Sequence, residues 1–309
     1  MHEMVRALCR RHDEVRFMQS SLSPFRTAAA LILASAAASW VLLAQGIADP
    51  FDGTRPGAAR QISRVTFCWA PAGSFRMGSP ADEPERREDE GPVNVTLSRG
   101  FWIGKYEVTQ GEWARVMGAF RREQDKGHGD DLPVYWVNWL DAEQYCRRLT
   151  ILAHKDGSLP KAWEIRLPTE AQWEYACRAG TPSATSFGSH LDRTQANIGT
   201  PYPGGSAYKS EGQAVKVGSY PANAWGLHDV HGNVWEWCRD WYHRTLPGGL
   251  DPDLSAVRGE RNGDGTYSRV RRGGAWIEGG WANRSAMRLR YEPERSSDHI
   301  GFRVVAVKF

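Results

Sequence analysis

The sequence lacks any concentration of basic charge. Its 309 residues carry a formal net charge of +3, and the lysines and arginines are spread along the chain. Domains that bind nucleic acid gather these residues on one face or along one helix. We therefore expect no nucleic-acid partner. The chain also has no visible internal repeat and no low-complexity tract.

Cysteine is scarce, and this limits the sites that thiols could form. Of five cysteines, Cys9 lies near the N-terminus and none follows Cys238. No cysteine follows the apolar N-terminal run closely, which argues against a lipid-anchored form. Cys68, Cys146, Cys177 and Cys238 could form two disulfides of unknown connectivity. Buried free thiols are the alternative, because Cys146 and Cys177 lie on apolar faces of predicted helices.

Glycine and tryptophan, in contrast, are abundant. The chain contains 32 glycines and 14 tryptophans, but few long periodic stretches. This composition predicts many turns and irregular loops that are held by large aromatic side chains.

The first 48 residues differ from the rest. Arg16 and Arg26 precede an uncharged apolar run from Ala28 to Leu43, and small residues follow at 46–48. This pattern is typical of a signal peptide, and residues 27–48 could alternatively anchor the chain in a membrane. Either alternative exports the remainder, to the periplasm or the medium. We predict a leader at 1–48, a linker at 49–64 and a folded domain at 65–309.

The predicted domain mixes short strands with helices, which indicates an α+β fold. Apolar residues alternate in the region 65–79 and again from 101 to 108, as in strands. Thr109 and Thr169 are predicted N-caps of helices. A further helix over 138–150 places Leu140, Tyr145, Cys146 and Leu149 on one face.

Six short motifs occur along the chain, in the order PAGSFRMGS, IGKYEVTQGEW, RLPTEAQWEYACRAGT, YPANAWGLHDVHGNVWEWCRDWY, RRGGAW and HIGFRVV. In these motifs and in their order, the chain resembles the formylglycine-generating enzyme family, also called the sulfatase-modifying factor family. The resemblance implies a C-type-lectin-like α+β fold with two main helices, small twisted antiparallel sheets and long irregular loops. The family includes copper-dependent oxidases and also binding proteins without catalysis, so the fold alone does not assign a function.

Copper chemistry is not expected from this resemblance. Family oxidases hold Cu(I) with two cysteines after the RGG turn, and the overlay places Glu278 and Asn283 at those positions. Carboxylate and amide oxygens are hard ligands, whereas Cu(I) prefers soft thiolates. Ala275 also replaces the serine that usually ends RGGS.

The resemblance does suggest structural calcium. Family members bind Ca²⁺ through Asn and Glu side chains and loop carbonyls, which here predicts Asn197, the Ile198 carbonyl, Asn233 and Glu236 as ligands. The alternative is that Asn233 caps a turn and Glu236 pairs with an arginine. A metal site at His228 and His231 is a weaker hypothesis than hydrogen bonds to backbone carbonyls.

The segment 272–290 is the predicted ligand-binding region. It contains no Cys, His or Asp, and its Trp and Arg residues belong to types enriched at binding hot spots. The predicted ligand-binding residues are Trp276, Glu278, Trp281, Asn283, Arg284, Arg288 and Arg290. Alternatively, the tryptophans are core residues and the arginines pair with Glu292, Glu294 and Asp298.

Two functions therefore remain open from the sequence. One is an exported binding or accessory protein whose ligand is a protein, a peptide or a small molecule. The other is an exported, oxidoreductase-like maturation enzyme that uses a non-copper metal or none.

Overall fold

The computed structural model describes residues 49–119, 127–204 and 212–309. Phe51–Phe309 form one compact unit. The predicted leader lies outside the described residues, so export, and the choice between cleavage and anchoring, stay predictions. Within the described ranges, no helix is both long enough and apolar enough to cross a membrane.

The largest sheet has five strands in the order β1-β2-β5-β12-β6, and all neighbours are antiparallel. Its strands are β1 (Ala59–Ile62), β2 (Val65–Ala70), β5 (Phe101–Gly104), β6 (Trp163–Arg166) and β12 (Val305–Lys308). The last strand of the chain, β12, therefore lies between β5 and β6, both of which are distant from it in sequence.

Two smaller sheets complete the architecture. A three-stranded sheet contains β3 (Gly73–Met77), β4 (Val93–Leu97) and β8 (Gly249–Leu250) in the order β3-β4-β8. A four-stranded sheet has the order β10-β9-β7-β11 and is formed by β7 (Trp235–Trp241), β9 (Arg269–Arg272), β10 (Arg288–Tyr291) and β11 (Ile300–Gly301).

Three α-helices pack against these sheets. They are α1 (Gln110–Met117), α2 (Trp139–Lys155) and α3 (Glu170–Arg178), and a 3₁₀ turn spans Gly280–Asn283. Thr109 and Thr169 cap α1 and α3 through capping boxes, as their side chains predict. The fold class is confirmed, and the described residues contain three α-helices where two main ones were expected.

The predicted inner face of α2 is correct except at its start. Tyr145, Cys146 and Leu149 are buried, but Leu140 is 50% exposed. Ala142 takes the buried position of that turn instead. The apolar face begins two residues later than the apolar pattern suggested.

The structure corrects the predicted linker at 49–64. Residues 59–62 form β1, which pairs with β2 in register from Ala59–Cys68 to Ile62–Val65. Phe51 is buried, with its ring centroid 4.9 Å from that of Trp163. The Pro, Gly and charged residues that suggested a linker occupy the turns between these anchors, so the folded domain begins before residue 65.

Candidate functional site

The segment after β9 begins with a tight double-glycine turn. Gly273 and Gly274 have φ values of 96° and 78°, a region that side chains rarely adopt. A Cβ on Gly274 would lie 1.9 Å from Asn283 Oδ1. The turn therefore needs glycine at this position both for its backbone conformation and for the approach of Asn283.

Asn283 is a structural residue of this loop. It is buried, and its Nδ2 donates to the Gly279 carbonyl at 2.7 Å. Its own carbonyl accepts from His231 Nδ1 at 2.7 Å. These bonds fix the loop from both sides.

Glu278 has a different set of neighbours. Its Oε1 accepts from Trp235 Nε1 at 3.3 Å, and the Arg271 guanidinium is close enough for its pKa to be affected by Glu278. Glu278 and Asn283, the two residues that the overlay puts at the copper-binding positions, thus have different side-chain partners. The two side chains do not act as a common ligand set.

Arg284 and Arg288, which the sequence predicts as ligand-binding residues, are fully buried in ion pairs. Arg284 contacts Glu83 at 2.6 Å and Glu90 at 2.7 Å. Arg288 contacts Glu170 at 2.6 Å. These acids lie far away in sequence, unlike Glu292, Glu294 and Asp298, which were the predicted alternative partners. A buried guanidinium is paired with a carboxylate because its desolvation is otherwise very costly.

The predicted tryptophans divide between core and surface. Trp276 is 5% exposed and packs with Tyr135 and Val234. Trp281 is 37% exposed. Of the predicted ligand-binding residues, Glu278, Trp281 and Arg290 retain exposed or half-exposed side chains.

Glu236 does not fit a calcium ligand. Its carboxylate accepts two hydrogen bonds from Arg303, one from Nε at 2.5 Å and one from Nη2 at 2.6 Å. Trp173 Nε1 donates to the same group at 2.6 Å. A divalent cation would have to displace a buried guanidinium, so the alternative that Glu236 pairs with an arginine describes this residue.

Asn197 offers a better donor for a hard cation. Its Oδ1 is buried and has no hydrogen-bond partner among the described residues, while its Nδ2 donates to Asn233 Oδ1 at 3.2 Å. The Ile198 carbonyl accepts from Arg193 Nε at 3.3 Å. An unpartnered buried carbonyl oxygen is the kind of ligand Ca²⁺ takes, so Asn197 fits the predicted ion.

A group of buried carboxylates beside Asn233 was missed from the sequence. Glu107 accepts from Asn233 Nδ2 at 2.7 Å and from the Val234 amide at 3.0 Å. Burial, with Asp229 and Glu236 nearby, raises the pKa of Glu107 well above its usual value. Glu107 belongs to the IGKYEVTQGEW motif, but alternation along the chain gave no signal that it would be buried.

Asp229 completes this group. Burial raises its pKa to about 6, against the opposing effects of the Gly218 amide and Arg303. Its Oδ1 is buried and accepts no hydrogen bond from the part of the chain that the structure describes. The pKa values of Glu107 and Asp229 are therefore both raised, that of Asp229 to about 6.

The four cysteines of the described region are all buried and free. The disulfide alternative is wrong for them, and the free-thiol alternative is confirmed. Burial raises the pKa of each thiol, that of Cys177 to about 12. Buried, protonated thiols that do not pair with one another do not fit Cu(I), which needs accessible thiolates.

Cys177 does lie near a histidine, at 3.9 Å from His231 Nε2. The Ser186 amide donates to that same nitrogen at 3.0 Å, and burial lowers the pKa of His231 to about 4. Both groups are therefore neutral at pH 7. A nucleophilic pair needs a thiolate or a competent base, so this contact is structural.

His228 and His231 do not form a metal pair. His228 Nδ1 donates to the Tyr220 carbonyl at 2.8 Å, and His231 binds the Asn283 carbonyl as described above. Across the residues that the structure describes, no group of three or more His, Cys, Asp or Glu side chains could hold a metal ion. The alternative of hydrogen bonds to backbone carbonyls describes both histidines.

Comparison with known proteins gives consistent matches. Residues 54–308 match the family described as sulfatase-modifying factor enzyme 1-like domain. A formylglycine-generating enzyme of Mycobacterium tuberculosis is 29% identical, over 76% of this chain and 96% of its own. The chaperone protein LppX of Paenibacillus barcinonensis is 32% identical, over 60% of this chain and 71% of its own. The structure of PvdO from Pseudomonas aeruginosa has 28% identity and a TM-score of 0.66, with 83% of this chain and 100% of that chain covered.

Proposed function

The chain belongs to the sulfatase-modifying factor family, and from this membership we propose that it is an exported binding or accessory protein without copper oxidase activity. One observation carries the second half of the proposal. The overlay of the family motif puts Glu278 and Asn283 roughly where the family's oxidases carry thiols, and no cysteine follows Cys238. Oxygen activation by Cu(I) requires soft ligands, which this site does not supply.

A binding or accessory role is supported by the accessible side chains of the segment. Trp281 and Arg290 are exposed, and Glu278 is half-exposed, while the rest of the segment is tied into the core. Exposed Trp and Arg on a rigid loop are types of residue that form binding hot spots. A relative that is named a chaperone protein also points to action on another molecule.

We also propose that structural calcium binds at Asn197, with the Ile198 carbonyl and Asn233 beside it. The unpartnered Asn197 Oδ1 supports this part of the proposal. The ion would stabilise the loops that carry residues 197 and 233 and take no part in chemistry.

The test is a turnover assay with the purified full chain. The protein is supplied with Cu(I), oxygen and a peptide that contains a sulfatase-type cysteine, and mass spectrometry follows the cysteine. The Mycobacterium tuberculosis relative serves as the active control. We expect no conversion, and copper-dependent conversion would refute the proposal.

Export is tested separately by fractionation of the native host. The proposal expects the chain outside the cytoplasm, either shortened near residue 48 or held in the membrane. A full-length chain in the soluble cytoplasmic fraction would contradict it.

A further inference from the structure

A cleft of about 560 Å³ lies on the side of the molecule where β7 and β10 end. Five arginines line it, namely Arg86, Arg87, Arg244, Arg261 and Arg290, together with Tyr242. No lysine of the described ranges contributes to the lining. Such a concentration of guanidinium groups is unusual in a chain whose net charge is only +3.

The carboxylates of the cleft are already engaged. Glu88 pairs with Arg244 at 2.8 Å, and Glu260 accepts from the Arg244 amide at 2.9 Å. Asp89 accepts from the Tyr242 hydroxyl at 2.8 Å and lies 3.6 Å from Arg87. Five arginines against these three acids leave two positive charges in excess.

Three arginines have no carboxylate partner among the described residues, and neutral groups position each of them. Arg86 Nε donates to Ser79 Oγ at 3.3 Å. Arg261 Nε donates to the Tyr267 hydroxyl at 3.0 Å. Arg290 stacks on the Tyr242 ring, with 4.7 Å to the centroid. Because these contacts use Nε or the π-face, the terminal Nη groups stay available.

The floor of the cleft is formed around Tyr242, which neighbouring side chains hold in place. Tyr242 contacts Arg290 and also the buried Arg288, whose guanidinium lies 4.9 Å from the ring centroid. Arg288 in turn donates to the carbonyls of Asp89 and His243. The floor therefore requires little reordering when a ligand enters, which favours affinity.

We propose that this cleft binds a ligand with two or more clustered oxyanion groups, either phosphates or carboxylates. The guanidinium fork matches both groups in bidentate geometry. Three guanidinium groups with available Nη atoms around one cleft would bind a ligand with several negative charges better than a ligand with one. The inference rests on the proposed binding role, because it names the chemistry of the ligand.

The experiment is calorimetric titration of the full chain with two probes, inorganic tripolyphosphate and a triglutamate peptide. The test variant carries Arg86→Gln, Arg261→Gln and Arg290→Gln. The control variant carries Arg55→Gln, Arg99→Gln and Arg148→Gln, which removes the same charge from exposed positions outside the cleft. Thermal unfolding checks that both variants are folded.

We expect at least one probe to bind, and the probe that binds better identifies phosphate or carboxylate as the preferred group. The test variant should bind at least roughly tenfold more weakly, since a hydrogen bond to a charged group contributes about that factor. The control variant should bind like the natural chain. Three results would each overturn the inference: no binding of either probe, equal weakening in both variants, or binding that the test variant retains.

The outcomes are distinguishable from those of the turnover assay. Copper-dependent turnover would remove the proposed function and leave the titration result intact. Failure of both probes to bind, without turnover, would remove the oxyanion cleft and leave the other accessible surface of this chain, around Trp281, as the proposed binding site.

Discussion

Two buried polar clusters in this protein contain opposite excesses of charge. The arginine-rich cluster comprises Arg178, Arg272, Arg288, Glu170 and Glu174, and it lies between α3 and the sheet that contains β9. The carboxylate-rich cluster comprises Glu107, Asp229, Glu236 and Arg303. All nine side chains are buried.

The sign of the excess charge affects the pKa values of the carboxyl groups in each cluster. Burial alone would raise the pKa of Glu174, but Arg178 and Arg272 outweigh it and the pKa is lowered. In the carboxylate-rich cluster, burial and neighbouring acids raise the pKa of Glu107 and Asp229. The first cluster is therefore a fixed ionic support, whereas the second can exchange protons within the physiological range.

The largest expected effect comes from breaking the arginine-rich cluster at Arg272, which lies 3.0 Å from Glu170 and 2.5 Å from Glu174. Arg272→Met would leave both carboxylates with fewer counter-charges, and we expect a loss of about 4 kcal/mol in the free energy of unfolding. Urea denaturation at pH 7 measures it.

Arg271→Met is the matched control. Arg271 is the neighbouring residue of β9, it has no ion pair within the described chain, and two of its guanidinium nitrogens lack hydrogen bonds. We expect less than about 1.5 kcal/mol from this change. If both variants lost equal stability, the buried ion pairs would not be the source of the effect.

A second prediction separates buried from available arginines in the predicted binding segment. Arg284→Ala should cost about 3 kcal/mol because Glu83 and Glu90 lose their partner in the interior. Arg290→Ala should change stability by no more than about 0.5 kcal/mol, since its side chain is exposed. Thermal and urea unfolding of the two variants provide the measurement, and a stability loss at Arg290 as large as that at Arg284 would contradict the division.

The difference between buried and exposed arginines in this segment could not be predicted from the sequence. Helix caps at Thr109 and Thr169 follow from local chemistry, and both are correct. The copper prediction depends on which residue types are present, which the sequence gives directly, and it stays a prediction until the turnover assay. The partners of Arg284 and Arg288 lie 118 to 201 residues away, and no local pattern indicates such pairs. An arginine looks the same in a sequence whether a distant carboxylate neutralises it or not.

A third prediction concerns protons in the carboxylate-rich cluster. The pKa of Asp229 is about 6 in the folded state and ordinarily 3.8. Between pH 4 and pH 6 the folded chain therefore holds a proton that the unfolded chain has lost. The contribution of this group to the free energy of unfolding falls by about 3 kcal/mol in total as the pH rises through that window, and it is constant at higher pH.

Asp229→Asn should remove this contribution to the dependence of the free energy of unfolding on pH. The amide oxygen can still accept from the Gly218 amide, as Asp229 Oδ2 does at 2.7 Å. Unfolding free energies at several pH values from 4 to 8 test the change, with the exposed Asp82→Asn as control. A slope that Asp229→Asn leaves unaltered would show that Asp229 is ionised throughout.

The smallest expected effect concerns calcium and distinguishes the two predicted ligands beside the carboxylate-rich cluster. If Asn197 supplies the ligand, Ca²⁺ at ten times its Kd should stabilise the natural chain by about 1.4 kcal/mol. Asn197→Ala should abolish this increment because the unpartnered Oδ1 is removed. Glu236→Gln should lower the stability of the calcium-free chain, since Arg303 loses a charged partner, yet retain the increment. Melting curves with Ca²⁺ and with a chelator separate the two quantities. The opposite result, in which Glu236→Gln loses the stabilisation by Ca²⁺ and Asn197→Ala keeps it, would mean that the cation competes with Arg303 for Glu236. The excess of carboxylates, and not the Asn197 amide oxygen, would then attract the ion.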